Sequence, residues 1–288
     1  MYFIPIKMEY KTYDWLNYDE LDWSELSANK SAIDLLKKYP ENIDWLSLCN
    51  NENAIDILEQ NPNNILWLFL SSNKNAIKIL EQNFEKIDWD NISSNENAYE
   101  LIIQNLEEID WYSLSANTSP KVINLLLRPN LDKIDWMELS MNHTKEAVQL
   151  LKENQEKIYW YMLSRNPEAI DLLLENQDKI VWDQLSFNCN AKDLIRNNLD
   201  KIDWGILSSK EWAIDILLEN QDKIDWGWFS RNRAGIELLK DNLDKVDWGP
   251  LSANYNAFEI LKANPDKIDY QGLSNNENSL FFGYYESK

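Results

Sequence analysis

Apolar positions recur along this chain in a unit of 22 residues, and their spacing inside the unit predicts two short helices. The units align on an aromatic at Trp23, Trp45, Trp67, Trp89, Trp111, Trp136, Trp160, Trp182, Trp204, Trp226, Trp248 and Tyr270, which makes twelve repeats. The step lengthens to 25 and 24 residues only after Trp111 and Trp136, so insertions are confined to the middle of the array. Two residues before the aromatic stands Ile, Leu or Val, and three after it Leu, Ile or Phe, in all twelve repeats. Both places therefore belong to a core.

The residue just before the aromatic is Asp in nine of twelve repeats, an N-cap choice ahead of an apolar-periodic run. With Asp44 as cap, Ile43 and Leu48 fall where a hydrophobic staple meets, so a first helix starts at each Asp. Ser stands four places after the aromatic in eleven repeats, with Cys49 the exception, and Asn six places after in eleven. Asn166 is followed by Pro167, a favoured first helical residue, so a second helix is expected to begin at each such Asn. Ala54, Ile55, Ile57 and Leu58 show its apolar face. Its end is expected at a second recurrent Asn, such as Asn61, Asn83, Asn105 or Asn220, in the left-handed conformation that Asn tolerates. A short loop of the kind "PDK" or "QDK" then leads to the next unit.

Such a unit cannot fold alone. About seven apolar side chains at roughly 1.5–3 kcal/mol each do not offset backbone ordering at about 1–2 kcal/mol per residue. Stacking must supply the rest, and the expected fold is an all-α solenoid of about twelve 22-residue helix-turn-helix repeats with terminal caps. Residues 1–20 read as the N-terminal cap, 21–276 as one continuous array and 277–288 as the C-terminal cap. Helices packed about 8–10 Å apart would extend twelve such units into a rod or superhelix on the order of 100 Å long. A leucine-rich repeat is the alternative that "LSxN" suggests, but the alternation a strand needs is missing.

Composition narrows the function. The net charge is −21 in 288 residues, which repels phosphate backbones and anionic membrane surfaces, so neither nucleic acid nor membrane is an expected partner. The two cysteines, Cys49 and Cys189, are about six repeats apart, beyond disulfide reach in an elongated array. Without an apolar run of 18 residues or a leader, the expectation is a soluble intracellular protein.

The unit "KIDWxxLSxNxxAIxLLxxN" resembles the tandem Asp-Trp repeats of giant nucleocytoplasmic DNA viruses, over nearly the whole chain. The resemblance implies an α-solenoid of intracellular viral origin and brings no catalytic residue with it. The pattern is broken at Leu66, Tyr159 and Val181 in place of Asp, at Lys210 in place of Asn, and at Lys192 in place of a core residue.

Little catalytic chemistry is on offer. His143 is the single histidine and reads as a solvated loop residue, no Cys pair has metal-ligand spacing, and six glycines form no phosphate loop. No cofactor or metal is expected, and the chain does not read as an enzyme. Gly205, Gly227 and Gly249 share one offset and mark a packing or turn preference. The Asp series reads as caps, since carboxylates about 9–10 Å apart cannot share a calcium ion. The Trp series reads as packing between repeats, and Asp34, Asp56, Glu100, Asp171, Asp215 and Glu259 as a solvated acidic face on the second helices.

Function is expected where the repeats differ. The places one, two and five after the aromatic face away from the core of the first helix and hold Leu68, Phe69, Tyr112, Met137, Tyr161, Met162, Arg165, Phe187, Trp228 and Arg231. Trp212 stands close to the irregular Lys210. Aromatics, Met and Arg are enriched at interfaces. The leading expectation is a non-enzymatic scaffold that binds a protein or peptide with a basic patch along one extended face, with a monomer favoured. The alternative is a structural or assembly component of a virus particle.

Overall fold

The computed structural model describes residues 8–11, 16–278 and 284–287. It is an all-α array of helical repeats, with one two-stranded antiparallel sheet formed by β1 (Met8–Lys11) and β2 (Tyr284–Ser287). The chain divides into two compact units, one made of residues up to Ile57 together with those from Asp225 onward, the other of Leu58–Ile224. Repeats are numbered 1 to 12 below, in the order of their aromatics.

Each first helix is four to six residues long, as in Trp23–Ala28, Trp111–Ala116 and Trp226–Phe229. All nine expected Asp caps accept a hydrogen bond from a backbone N–H two or three residues on, for example Asp44 Oδ1 from Ser47 at 2.8 Å and Asp110 Oδ2 from Ser113 at 2.8 Å. Leu66, Tyr159 and Val181 make no such bond, and each of the helices they begin has four residues. The residue three after the aromatic is fully buried in every repeat, from Leu26 to Leu273. The apolar residue two before it is buried in ten repeats and half-buried at Val246 and Ile268.

The recurrent Ser and Asn turn out to join the repeats to one another. Within each unit the Ser hydroxyl donates to the carbonyl of its own aromatic and accepts the cap N–H of the neighbouring repeat. Ser27 Oγ, for instance, donates to Trp23 at 2.7 Å and accepts from Asp44 N at 3.0 Å. The next cap need not be Asp, because Tyr159 N and Val181 N reach Ser140 and Ser164 in the same way at 3.1 and 3.0 Å. In nine repeats the buried Asn accepts, through Oδ1, the N–H two residues ahead and sends Nδ2 to two carbonyls of the neighbouring repeat, as at Asn29, Asn51, Asn117 and Asn254. Asn188 Nδ2 thus reaches Ser164 O at 3.2 Å and Asn166 O at 2.8 Å, while Oδ1 takes Asn190 N at 3.1 Å. Backbone groups at a buried corner must find partners, and here one residue type supplies three bonds at once.

Two expectations about the second helix are corrected by these bonds. The Asn does not begin the α-helix, because it caps a turn or 3₁₀ segment such as Pro167–Ala169, and the helix proper starts at Ile170. The closing Asn does not turn left-handed, since Asn61, Asn83 and Asn220 have φ of −129°, −133° and −132°. It instead folds Nδ2 back onto the carbonyl four residues earlier, as Asn220 does on Ile216 at 2.8 Å. An orphan carbonyl of the last turn is thereby satisfied without strain. The "QDK" segments form 3₁₀ turns, and part of the insertion in repeat 5 is taken up as a wider π turn over Ile123–Leu127.

In the first unit the ends of the array meet. Asp22 N donates to Ser274 Oγ at 2.8 Å, and Asn29 Nδ2 to Ser274 O at 3.3 Å and Asn276 O at 3.1 Å. These are the bonds by which repeat 12 holds repeat 11, so repeat 1 stacks on repeat 12 as an ordinary neighbour. An open rod on the order of 100 Å long would keep repeats 1 and 12 apart, so these bonds overturn the rod form of that expectation. Described parts of the two expected cap segments, β1 and β2, pair with each other.

Candidate functional site

In five repeats the half-buried aromatic has a specific cover. Lys86, Lys133, Lys179, Lys201 and Lys245, each from the turn leading into the following repeat, place Nζ 4.6–4.8 Å from the ring centres of Trp67, Trp111, Trp160, Trp182 and Trp226. In these repeats the Trp is a shelf for the next repeat's lysine as well as a packing surface. That role accounts for the Lys of "KIDW", which sequence reading left as part of a loop.

The irregular residues fall into three local arrangements, two in the second unit and one in the first. In the second unit, the place one after the aromatic carries Leu68, Tyr112 and Tyr161, which are 49%, 51% and 52% exposed, with half-buried Met137 between the two tyrosines in chain order. Asp90 and Asp183 occupy the same place in repeats 4 and 8. Phe69 and Met162 lie one residue further on and are half-buried. The Tyr112 hydroxyl donates to Glu138 Oε1 at 2.6 Å, and this bond, with the carboxylate's charge, raises the Tyr112 pKa.

The second arrangement also lies in that unit. Phe187 is stacked by two cations, with the Arg165 guanidinium 4.3 Å and the Lys210 ammonium 4.6 Å from its ring centre. Three consecutive repeats thus meet at one ring, and the break of pattern at Lys210 has a structural counterpart. Burial, followed by the charge of Arg165, lowers the Lys210 pKa. The turn after Lys210 lacks the side-chain cap that Asn gives elsewhere, and Trp212, half-buried within that turn, stands where six repeats have an Asn, which at Asn53, Asn97, Asn190, Asn256 and Asn278 bonds across to the preceding repeat.

The third arrangement is a pocket in the first unit, about 350 Å³ in volume, lined by Asp225, Gly227, Trp228, Arg231, Asp247 and Pro250. It lies between the first helices of repeats 10 and 11, Trp226–Phe229 and Trp248–Ser252. Trp226 is shelved under Lys245 and edged by Phe229 at 5.6 Å, whereas Trp228, 54% exposed, has no ring or cation stacked on it among the described residues. Arg231 is exposed and forms no ion pair among the described residues. Trp228 and Arg231 stand out in the sequence as variable places, while the space beside them comes from Gly227 and Pro250.

The acidic face of the second helices is only partly solvated. Asp34, Asp56, Glu100, Asp171 and Glu259 are exposed, but Glu100 pairs with Lys121 at 3.1 Å. Asp215 is held by Lys192 at 2.8 Å and by Arg196 at 2.6 Å, which gives Lys192 a role at its broken core place. Burial works against ionisation of Asp215, and the two cations outweigh it, so its pKa falls to about 2. Both cysteines are free thiols, Cys49 buried in a serine place and Cys189 exposed, and His143 is exposed. Among the described residues no group of three His, Cys, Asp or Glu side chains is placed to hold a metal ion, and no helix is long and apolar enough to cross a membrane. Comparison with protein-family models, with curated proteins and with solved structures finds no match to this chain.

Proposed function

We propose that the chain is a non-enzymatic scaffold that binds a protein partner through the outward side chains of its first helices. The observation that carries this reading is the row Leu68, Tyr112 and Tyr161, large apolar residues about half exposed at one shared place of a rigidly bonded array. Burying each on a partner would contribute up to about 1.5–3 kcal/mol. A net charge of −21 favours a partner with a basic face and speeds its approach. On the resemblance to viral Asp-Trp repeats, the partner belongs to an infected cell or to the virus.

The test is affinity capture of cell protein by the tagged chain and by a variant with Tyr161, Met162, Phe187 and Trp228 all changed to Ala. The variant is expected to keep its helical circular dichroism and lose the captured protein. Equal capture by both forms would overturn the reading.

A further inference from the structure

Gly227 is not held as glycine by its backbone, and a side chain there would be crowded at one point only, by a carboxylate that can shift. Its φ lies outside the left-handed range, and an added Cβ would meet only the Asp225 carboxylate, at 3.3 Å. Gly249 is looser still, where the nearest atoms would be carboxylate oxygens of Asp247 and Asp269 in ordinary contact at 3.5 and 3.8 Å. By contrast, a Cβ at Gly272 would stand 2.5 Å from the Gly249 carbonyl, so that glycine is demanded by packing. A glycine inside a helix costs about 1 kcal/mol relative to Ala. At the place of Gly227, other repeats carry Leu46, Leu68, Tyr112 and Tyr161. At 227 the missing side chain also leaves space beside Trp228, on the lining of the pocket.

We propose that this pocket seats one arginine side chain of a basic protein partner. This deepens the scaffold reading and rests on it. The exposed indole of Trp228 offers a π face without a cation of its own, while the corresponding ring Trp226 is already covered by Lys245. A guanidinium stacks on such a face through its own plane and keeps its N–H edge for carboxylates. Asp225 and Asp247 supply carboxylates on the pocket wall, each using Oδ1 for its helix cap, at 3.1 Å to Trp228 N and 3.0 Å to Gly249 N. Two carboxylates against the single guanidinium of Arg231 leave the wall net negative, and the chain's charge of −21 acts in the same direction. The Pro250 ring on the pocket lining gives the aliphatic stem an apolar contact. The volume, about 350 Å³, accommodates a side chain and sits at the low end of the range for small-ligand sites, about 300–1,000 Å³.

The experiment titrates the full chain, labelled with ¹⁵N at Trp and Gly, with the peptide acetyl-Gly-Arg-Gly-amide and with its neutral counterpart bearing citrulline. The arginine peptide is expected to shift the Trp228 indole and the Gly227 and Gly249 amide signals saturably, and the citrulline peptide to bind at least ten-fold more weakly. Gly227→Leu, which fills the space beside Trp228, is expected to abolish the shifts, and Asp247→Asn to weaken them several-fold, both with unchanged circular dichroism. If Gly227→Leu fails to fold, Trp228→Ala takes its place and is expected to abolish the two glycine shifts. Absence of saturable shifts, equal binding of citrulline, or persistence of the shifts in the folded Gly227→Leu or Trp228→Ala protein would overturn the proposal. A chain that still captures its protein partner while showing no arginine-dependent shift overturns the pocket alone and leaves the scaffold reading in place.

Discussion

Asn29 donates Nδ2 to the main-chain carbonyl of Asn276 at 3.1 Å across 247 residues of chain, and Asn254 makes the same bond to Asn232 at 3.1 Å inside the array. The contact between the last and first repeats therefore has the chemistry of an internal one.

Asn29→Ala and Asn254→Ala should accordingly destabilise the protein by similar amounts, about 2–3 kcal/mol each, because each leaves buried carbonyls without a donor. Urea denaturation monitored by circular dichroism measures both. A neutral Asn29→Ala beside a costly Asn254→Ala would show that the ends do not hold each other in solution.

Phe229 and Gly235 form a matched pair. Every other repeat has Leu or Ile at the place of Phe229, and eight of them have Ala at the place of Gly235. A Cβ on Gly235 would lie 2.9 Å or less from the Phe229 ring. Gly235→Ala is expected to cost about 1–3 kcal/mol through overpacking, and Phe229→Leu added to it to recover most of the loss. A double-mutant cycle without coupling would contradict the pairing.

The uncapped first helices can be improved. Val181→Asp restores the carboxylate that caps nine other repeats and should raise stability by about 0.5–1 kcal/mol, less whatever added negative charge costs the acidic chain. Thermal unfolding at moderate salt is the measurement, and a lower melting temperature would contradict it.

Asp215 gives a pH signature. Its pKa is depressed from an ordinary 3.8 to about 2, so its stabilising contribution is complete above 3.8 and fades as pH falls toward 2. The side chain is 42% exposed, so solvent screening keeps the effect small. Asp215→Asn should lower stability at pH 6 and approach the wild type near pH 2. A difference that does not narrow on acidification would exclude the ion pair as its cause.

The repeat itself was legible because stacking imposes the same demand twelve times: cap at Asp44, core at Leu48, small hydroxyl at Ser27. The meeting of repeats 12 and 1 was not, since which repeats become neighbours depends on small rotations accumulated along the array, and no residue pattern within one unit expresses them. Ser27 and Asn51 were recognised as fixed, but bonds to other repeats leave no periodicity different from that of a local cap. Trp228 and Arg231 could be marked as variable, while the use of Gly227 depends on what surrounds it in space. Lys210 and Lys192 stood out as breaks, and only the fold shows that they reach Phe187 and Asp215.

The central claim is that the constant places stack the repeats and the variable places of the first helices bind a partner. Hydrogen–deuterium exchange of the chain with and without its captured protein tests it most directly. Slower exchange is expected over Trp111–Ala116, Trp136–Met141 and Trp160–Leu163, with little change over the second helix Ile170–Glu175. Protection confined to second helices, with the first helices unchanged, would contradict it.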